Sequence, residues 1–123
     1  MKTKTKNRWL KKPEARDYPA AESYLSLVLG EPTAARLVKK LKSAPVQQFK
    51  AKDIFRASGL PLLGTTNAHV KADQRKLLDG EKLSPLLVVR QPALGKIIIA
   101  DGYHRICAVY SADEDAVIPC QIV

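Results

Sequence analysis

The stretch Ile97-Ile98-Ile99-Ala100-Asp101-Gly102-Tyr103-His104-Arg105-Ile106 decides how this chain is read. Three β-branched apolar residues in a row predict a buried strand, Asp-Gly ends it, and the residues after the glycine open a short helix. Where a strand passes into a helix through glycine, the first N–H groups of the helix lack intrahelical acceptors. The positive end of the helix dipole points into the same small space, and phosphate suits it. Arg105 adds a planar fork that matches phosphate oxygens, and His104 adds a donor on the same turn. The same residues also allow a structural reading, in which Asp101 caps the helix, Gly102 supplies an unusual backbone angle and both basic side chains face water.

Outward from this turn, residues 86–90 and 97–100 read as two strands of a hairpin closed by Gln91-Pro92-Ala93-Leu94-Gly95. The helix predicted over 103–111 leads through Asp113-Glu114-Asp115 into a final strand over 117–123. Upstream, Lys52-Asp53-Ile54-Phe55 reads as a short strand, Ser58-Gly59-Leu60-Pro61 as an irregular turn, and a helix runs from Asn67 or His69 to Leu78, stopped by Gly80. Before the core, 19–29 and 32–43 form a helical hairpin. Pro19 and Pro32 suit first helical turns and Gly30 the stop between them, with Tyr24, Leu25, Val28, Leu37, Val38 and Leu41 as one apolar seam. The predicted organisation is a basic flexible arm over 1–18, the hairpin over 19–45 and an α/β (α+β) core over 46–123, a small mixed sheet with helices.

The net charge is +9, with Lys2, Lys4, Lys6, Arg8, Lys11 and Lys12 in the first twelve residues and no acid among them. Such an arm is a candidate nucleic-acid contact or a solvated tail, and Trp9 is the one aromatic face it offers a base. Arg36, Lys39, Lys40 and Lys42 alternate with Leu37, Val38 and Leu41, the pattern of the wet side of an amphipathic helix. An apolar fraction of 46% with 27% charged residues is that of a globular domain. No apolar stretch approaches a membrane span or a signal-peptide core, so no membrane partner and a cytoplasmic location are expected. Cys107 and Cys120 read as core residues, and no Cys or His pair has the spacing of a metal site. Asp113-Glu114-Asp115 reads as a solvated loop, and no serine or histidine sits in a hydrolase pattern.

Two segments carry a resemblance. Leu83-Ser84-Pro85-Leu86-Leu87-Val88-Val89-Arg90 and Asp101-Gly102-Tyr103-His104-Arg105 are similar to the Pro-plus-strand segment and the phosphate-binding turn of the ParB/sulfiredoxin superfamily. The likeness extends from Asp53 to Val123, and its specific part is the D-G-Y-H-R block. As a small bacterial member, the chain is expected from this resemblance to bind a nucleotide at that turn, since ParB proteins take CTP, sulfiredoxins ATP and the free-serine kinases ADP. It departs from each branch. Tyr103 stands where sulfiredoxins carry the reactive cysteine, Tyr-His-Arg follows Gly102 where the ParB box has Glu-Arg-Arg, and no helix-turn-helix segment follows Val123 in this sequence. The serine kinases use an acidic residue in a loop where 56–69 holds none.

The resemblance thus implies a nucleoside di- or triphosphate, ATP, ADP or CTP, with magnesium as its accompanying ion, bound by Asp101, Gly102, Tyr103, His104 and Arg105. His69 and Lys76 (and Lys71) on the preceding helix are within reach as further ligands or as solvated side chains. Three functions are open: a regulatory or partner-binding module, a small phosphotransferase or nucleotidase, and a DNA- or RNA-binding accessory protein. In the second, Asp101 would orient metal or acceptor and His104 would neutralise developing charge. A homodimer is a candidate state.

Overall fold

In the computed structural model, which describes residues 8–123, alternation within one strand sets the layers. Along β2 (Leu86–Gln91), Leu86 and Val88 pack into one apolar cluster and Leu87 and Val89 into another. A strand buried on both faces must be covered on both. One cover is the antiparallel pair α1 (Asp17–Leu29) and α2 (Glu31–Ser43), and the other is α3 (Ala51–Ser58) with α5 (Tyr103–Ala112). The sheet order is β1 (Val46–Lys50), β4 (Val117–Ile122), β2, β3 (Lys96–Asp101), with β2 and β4 parallel and the other two pairings antiparallel. A fifth helix, α4 (Ala68–Leu78), packs outside α5 through Val70, Cys107 and Ala108. The described residues therefore form a mixed α+β fold with an N-terminal helical hairpin.

Three parts of the sequence reading change. Lys52-Asp53-Ile54-Phe55 lies in α3, not in a strand, and the strand falls before it at Val46–Lys50. Ala51 and Ile54 are buried, with Phe55 packed beside them, an i, i+3, i+4 stripe that a four-residue window cannot tell from a strand. Gly59, left-handed at φ 69°, stops the helix.

The arm differs as well. Trp9 is only 4% exposed and belongs to the main core; the Leu10 N–H donates to the Leu83 carbonyl at 2.8 Å and the Leu83 N–H to the Arg8 carbonyl at 2.7 Å. Glu14 donates its N–H to Ser84 Oγ at 3.0 Å. Residues 8–16 are thus laid along the core, α1 begins at Asp17, and Trp9 offers no free face to a base. Lys2, Lys4 and Lys6 lie outside the described residues.

The hairpin seam holds at Leu25, Val38 and Leu41, but Tyr24 and Val28 face outward, and Ala21 and Ala34 take the contact positions. Helix α1 is apolar around most of its circumference, so its sequence left the buried side undetermined; small alanines let the helices approach. Among the described residues no helix is long and apolar enough to cross a membrane.

Candidate functional site

The quoted stretch folds as read. β3 ends at Asp101, Gly102 adopts φ +109°, and α5 starts at Tyr103. Leu87 faces Asp101 while Val88 faces Ile99, so Ala100 is the extra residue of a bulge that re-aims the strand end. Only glycine fits at the turn. A Cβ on Gly102 would lie 2.7 Å from Leu86 Cγ, in a backbone region that L side chains avoid. The first α-helical bond here is Ile106 N–H to the Gly102 carbonyl at 3.0 Å, so the N–H groups of Tyr103, His104 and Arg105 precede it and have no intrahelical partner.

Beside this helix start lies a cleft of about 240 Å³ between α5 and one face of α4, lined by His69, Ala72, Asp73, Lys76, Asp101, Gly102, Tyr103, His104 and Arg105. The fold brings His69 and Lys76 together with residues 101–105, and of the candidate ligands read from the sequence it leaves out Lys71. His69 and His104 approach with ring centroids 4.8 Å apart, and Tyr103 fixes the rim by donating its hydroxyl to the Pro61 carbonyl. Asn67 caps α4, its side chain accepting from His69 and Val70 at 2.9 and 3.2 Å, which sets the direction of His69. Burial, and then His69, hold His104 below the ordinary value of 6.5, so at neutral pH it is an uncharged imidazole able to take up a proton when an anion arrives.

Arg105 has a second engagement that no local pattern announces. Its guanidinium meets Asp101 at 2.8 Å, Asp17 at 3.5 Å and the Pro85 carbonyl at 3.3 Å, with only 16% of the side chain exposed. Asp17 in turn accepts a hydrogen bond from the Ser84 hydroxyl. A buried network therefore ties the start of α1, the entry to β2 and the Gly102 turn together. Asp101 is the partner of Arg105 and makes no side-chain cap to α5. Burial raises its carboxyl and the Arg105 charge opposes that rise. The arginine lines the cleft on an anchored stem, which suits positioning as much as ligation.

Sequence reasoning missed Asp17, Ser84 and Asp73. Asp73 had a signal: His69, Asp73 and Lys76 stand at i, i+4 and i+7 and so share one face of α4. It faces Lys76 at 4.0 Å, and burial raises its carboxyl against the pull of Lys76 and Arg105. Asp17 and Arg105 lie far apart in the chain and had none. Lys71 is exposed on α4 and does not line the cleft. Lys11 and Lys12 are exposed, outside the cleft. Cys107 and Cys120 are buried and free, the latter thiol pushed up to about 12 by burial. Asp115 of the acidic loop pairs with Lys52 at 2.8 Å, and among the described residues no group of three acids, histidines or cysteines could hold a metal ion.

Two other concavities carry none of this chemistry. A groove of about 670 Å³ lies between α1 and α2, and an apolar pocket of about 210 Å³ lies under α3. Comparison with family models, curated proteins and solved structures finds no match for the chain.

Proposed function

We propose that this chain binds the phosphates of a nucleoside di- or triphosphate, ATP, ADP or CTP, at the start of α5, and acts as a regulatory or partner-binding domain of the ParB/sulfiredoxin kind. The observation that carries this reading is the convergence of the unpaired N–H groups of 103–105 with His69, Lys76 and His104, from two helices, on one cleft. The succession Pro85, strand, hairpin, strand, glycine turn, helix supports it, because it is the order the superfamily core requires. The donor set fits a polyphosphate: three cationic or protonatable side chains stand beside a helix end, and Asp73 stands where an accompanying magnesium ion would find one carboxylate. A reducing cytoplasm suits two buried free thiols.

The chain's own residues divide the work in this reading. The helix N–H groups and Lys76 hold phosphate oxygens, His104 takes up a proton as the anion enters, and the pair formed by Arg105 and Asp101 keeps the turn in shape. Occupancy would then stiffen α5 and the Pro61 contact made by Tyr103, which is the surface a partner would sense. Asp101 is already bound to Arg105, an arrangement that supports a binding domain over a phosphotransferase using that carboxylate.

The test is a thermal-shift panel of ATP, ADP, CTP and inorganic pyrophosphate, with and without magnesium, at constant ionic strength. A ligand at a hundred times its Kd adds about 2.7 kcal/mol to stability. Lys76→Gln and His104→Gln should each remove one charge-assisted contact, about 1.5–3 kcal/mol, and so weaken binding roughly tenfold or more. If no nucleotide moves the melting curve at millimolar concentration, the reading fails; sustained release of phosphate from a bound nucleotide would instead make the protein an enzyme.

A further inference from the structure

The surplus positive charge of this chain is segregated. Residues 51–123 carry nine Lys and Arg against eight Asp and Glu, close to neutral, whereas 31–50 carry five cations against Glu31 alone. Within the near-neutral part four of the nine cations are paired, Lys52 with Asp115, Arg56 with Asp53, Lys76 with Asp73 and Arg105 with Asp101. On α2 they are not: Arg36, Lys39 and Lys40 are exposed and make no ion pair among the described residues.

Their spacing, i, i+3 and i+4, stacks the three on one side of α2, opposite Ala34, Val38 and Leu41, which are buried against the sheet. The row spans about 6 Å along the helix axis. The chain then runs directly into β1, one of the two edge strands of the sheet. Lys50 pairs with Val117 and Gln48 with Pro119, in alternation with Phe49, which pairs with Ile118 and packs into the α3 side of the core. Gln48 and Lys50 therefore project on the face that α2 covers, and both are exposed. Arg36, Lys39, Lys40 and Lys50 thus belong to one side of the domain.

We propose that this side, the outer face of α2 continued by Gln48 and Lys50 of β1, is a docking surface for the phosphate backbone of a nucleic-acid duplex. Charge complementarity selects a polyanion. The apolar residues of α2 are turned inward, so the helix has nothing to insert into a bilayer. The face carries no aromatic ring on which unpaired bases could stack, which selects a duplex over a single strand. Such contacts position without reading sequence, and their strength falls steeply with salt as counterions are released. The surface is independent of the cleft at α5, so the duplex is not the ligand proposed there and either reading can fail alone.

The experiment measures the affinity of the full chain for a random-sequence DNA duplex, without nucleotide, as a function of salt. Three variants each remove three charges: R36Q/K39Q/K40Q on α2, K2Q/K4Q/K6Q at the N-terminus, and K71Q/R75Q/K82Q at exposed positions on and after α4. All the described positions are exposed, and melting curves check that the variants remain folded. The slope of log K against log salt should become shallower by about 0.9 for each cation neutralised on α2, with affinity at 50 mM salt falling at least tenfold, and the α4 variant should leave the slope unchanged. An equal loss in the α2 and α4 variants, a loss confined to the N-terminal variant, or no binding by the parent chain at 50 mM salt would each overturn the proposal.

Discussion

Arg105→Ala tests the buried network most directly. The guanidinium lies 2.8 Å from Asp101 and 3.5 Å from Asp17, and the three side chains are 16%, 18% and 8% exposed. Removing the cation leaves two carboxylates out of water with Ser84 and little else to compensate. Breaking one side of a buried pair costs about 3–5 kcal/mol, a large share of the roughly 5–15 kcal/mol that holds a domain folded. At about 4 °C per kcal/mol for a chain of this length, the melting temperature should fall by about 12–20 °C. The measurement is urea and thermal unfolding followed by circular dichroism at pH 7, with Asp101→Asn and the double variant alongside. The double variant should recover about 1–3 kcal/mol of the loss, because asparagine leaves no stranded charge. The deficit should also shrink on acidification. Burial already holds the Asp101 carboxyl above its ordinary value, and without the opposing Arg105 charge it rises further, so the folded form takes up a proton and regains stability as pH falls through the raised value. A loss below 1 kcal/mol with no dependence on pH would show that Arg105 is solvated, and with it would go its role in shaping the turn.

Two more outcomes follow from the geometry. Trp9→Ala should destabilise the protein by about 3–5 kcal/mol, as for a large aromatic removed from a core; a Trp9 variant as stable as the parent would refute the docking of 8–16. His104 has its folded value below 6.5, so between that lowered value and 6.5 the unfolded chain binds the extra proton and stability must fall as pH drops through this window. His104→Gln should flatten that part of the profile, and titration calorimetry in buffers of different ionisation heats should record proton uptake when pyrophosphate binds; a profile identical to the parent's would refute the burial of that imidazole.

What the sequence determined by itself is local. Triple isoleucine, Asp-Gly and the helix after it were legible because the strand, the left-handed glycine and the helix start are each set by neighbours within a few residues. Helices α2 and α4 were legible for the same reason, as was the hairpin loop, whereas the meeting of His69, Lys76 and His104 came from the packing of α4 on α5. Only the tertiary structure decided the rest. Whether the residues 51–58 curl or extend depends on which neighbours bury Ala51 and Ile54, and Trp9 is a core residue because Leu83 pairs with the chain beside it. The partners of Arg105 are Asp101, four residues back, and Asp17, held at the far end of the chain by Ser84. A pattern along the sequence records what each side chain prefers, while the charge that neutralises a buried guanidinium is chosen by the packing of α1 against the sheet.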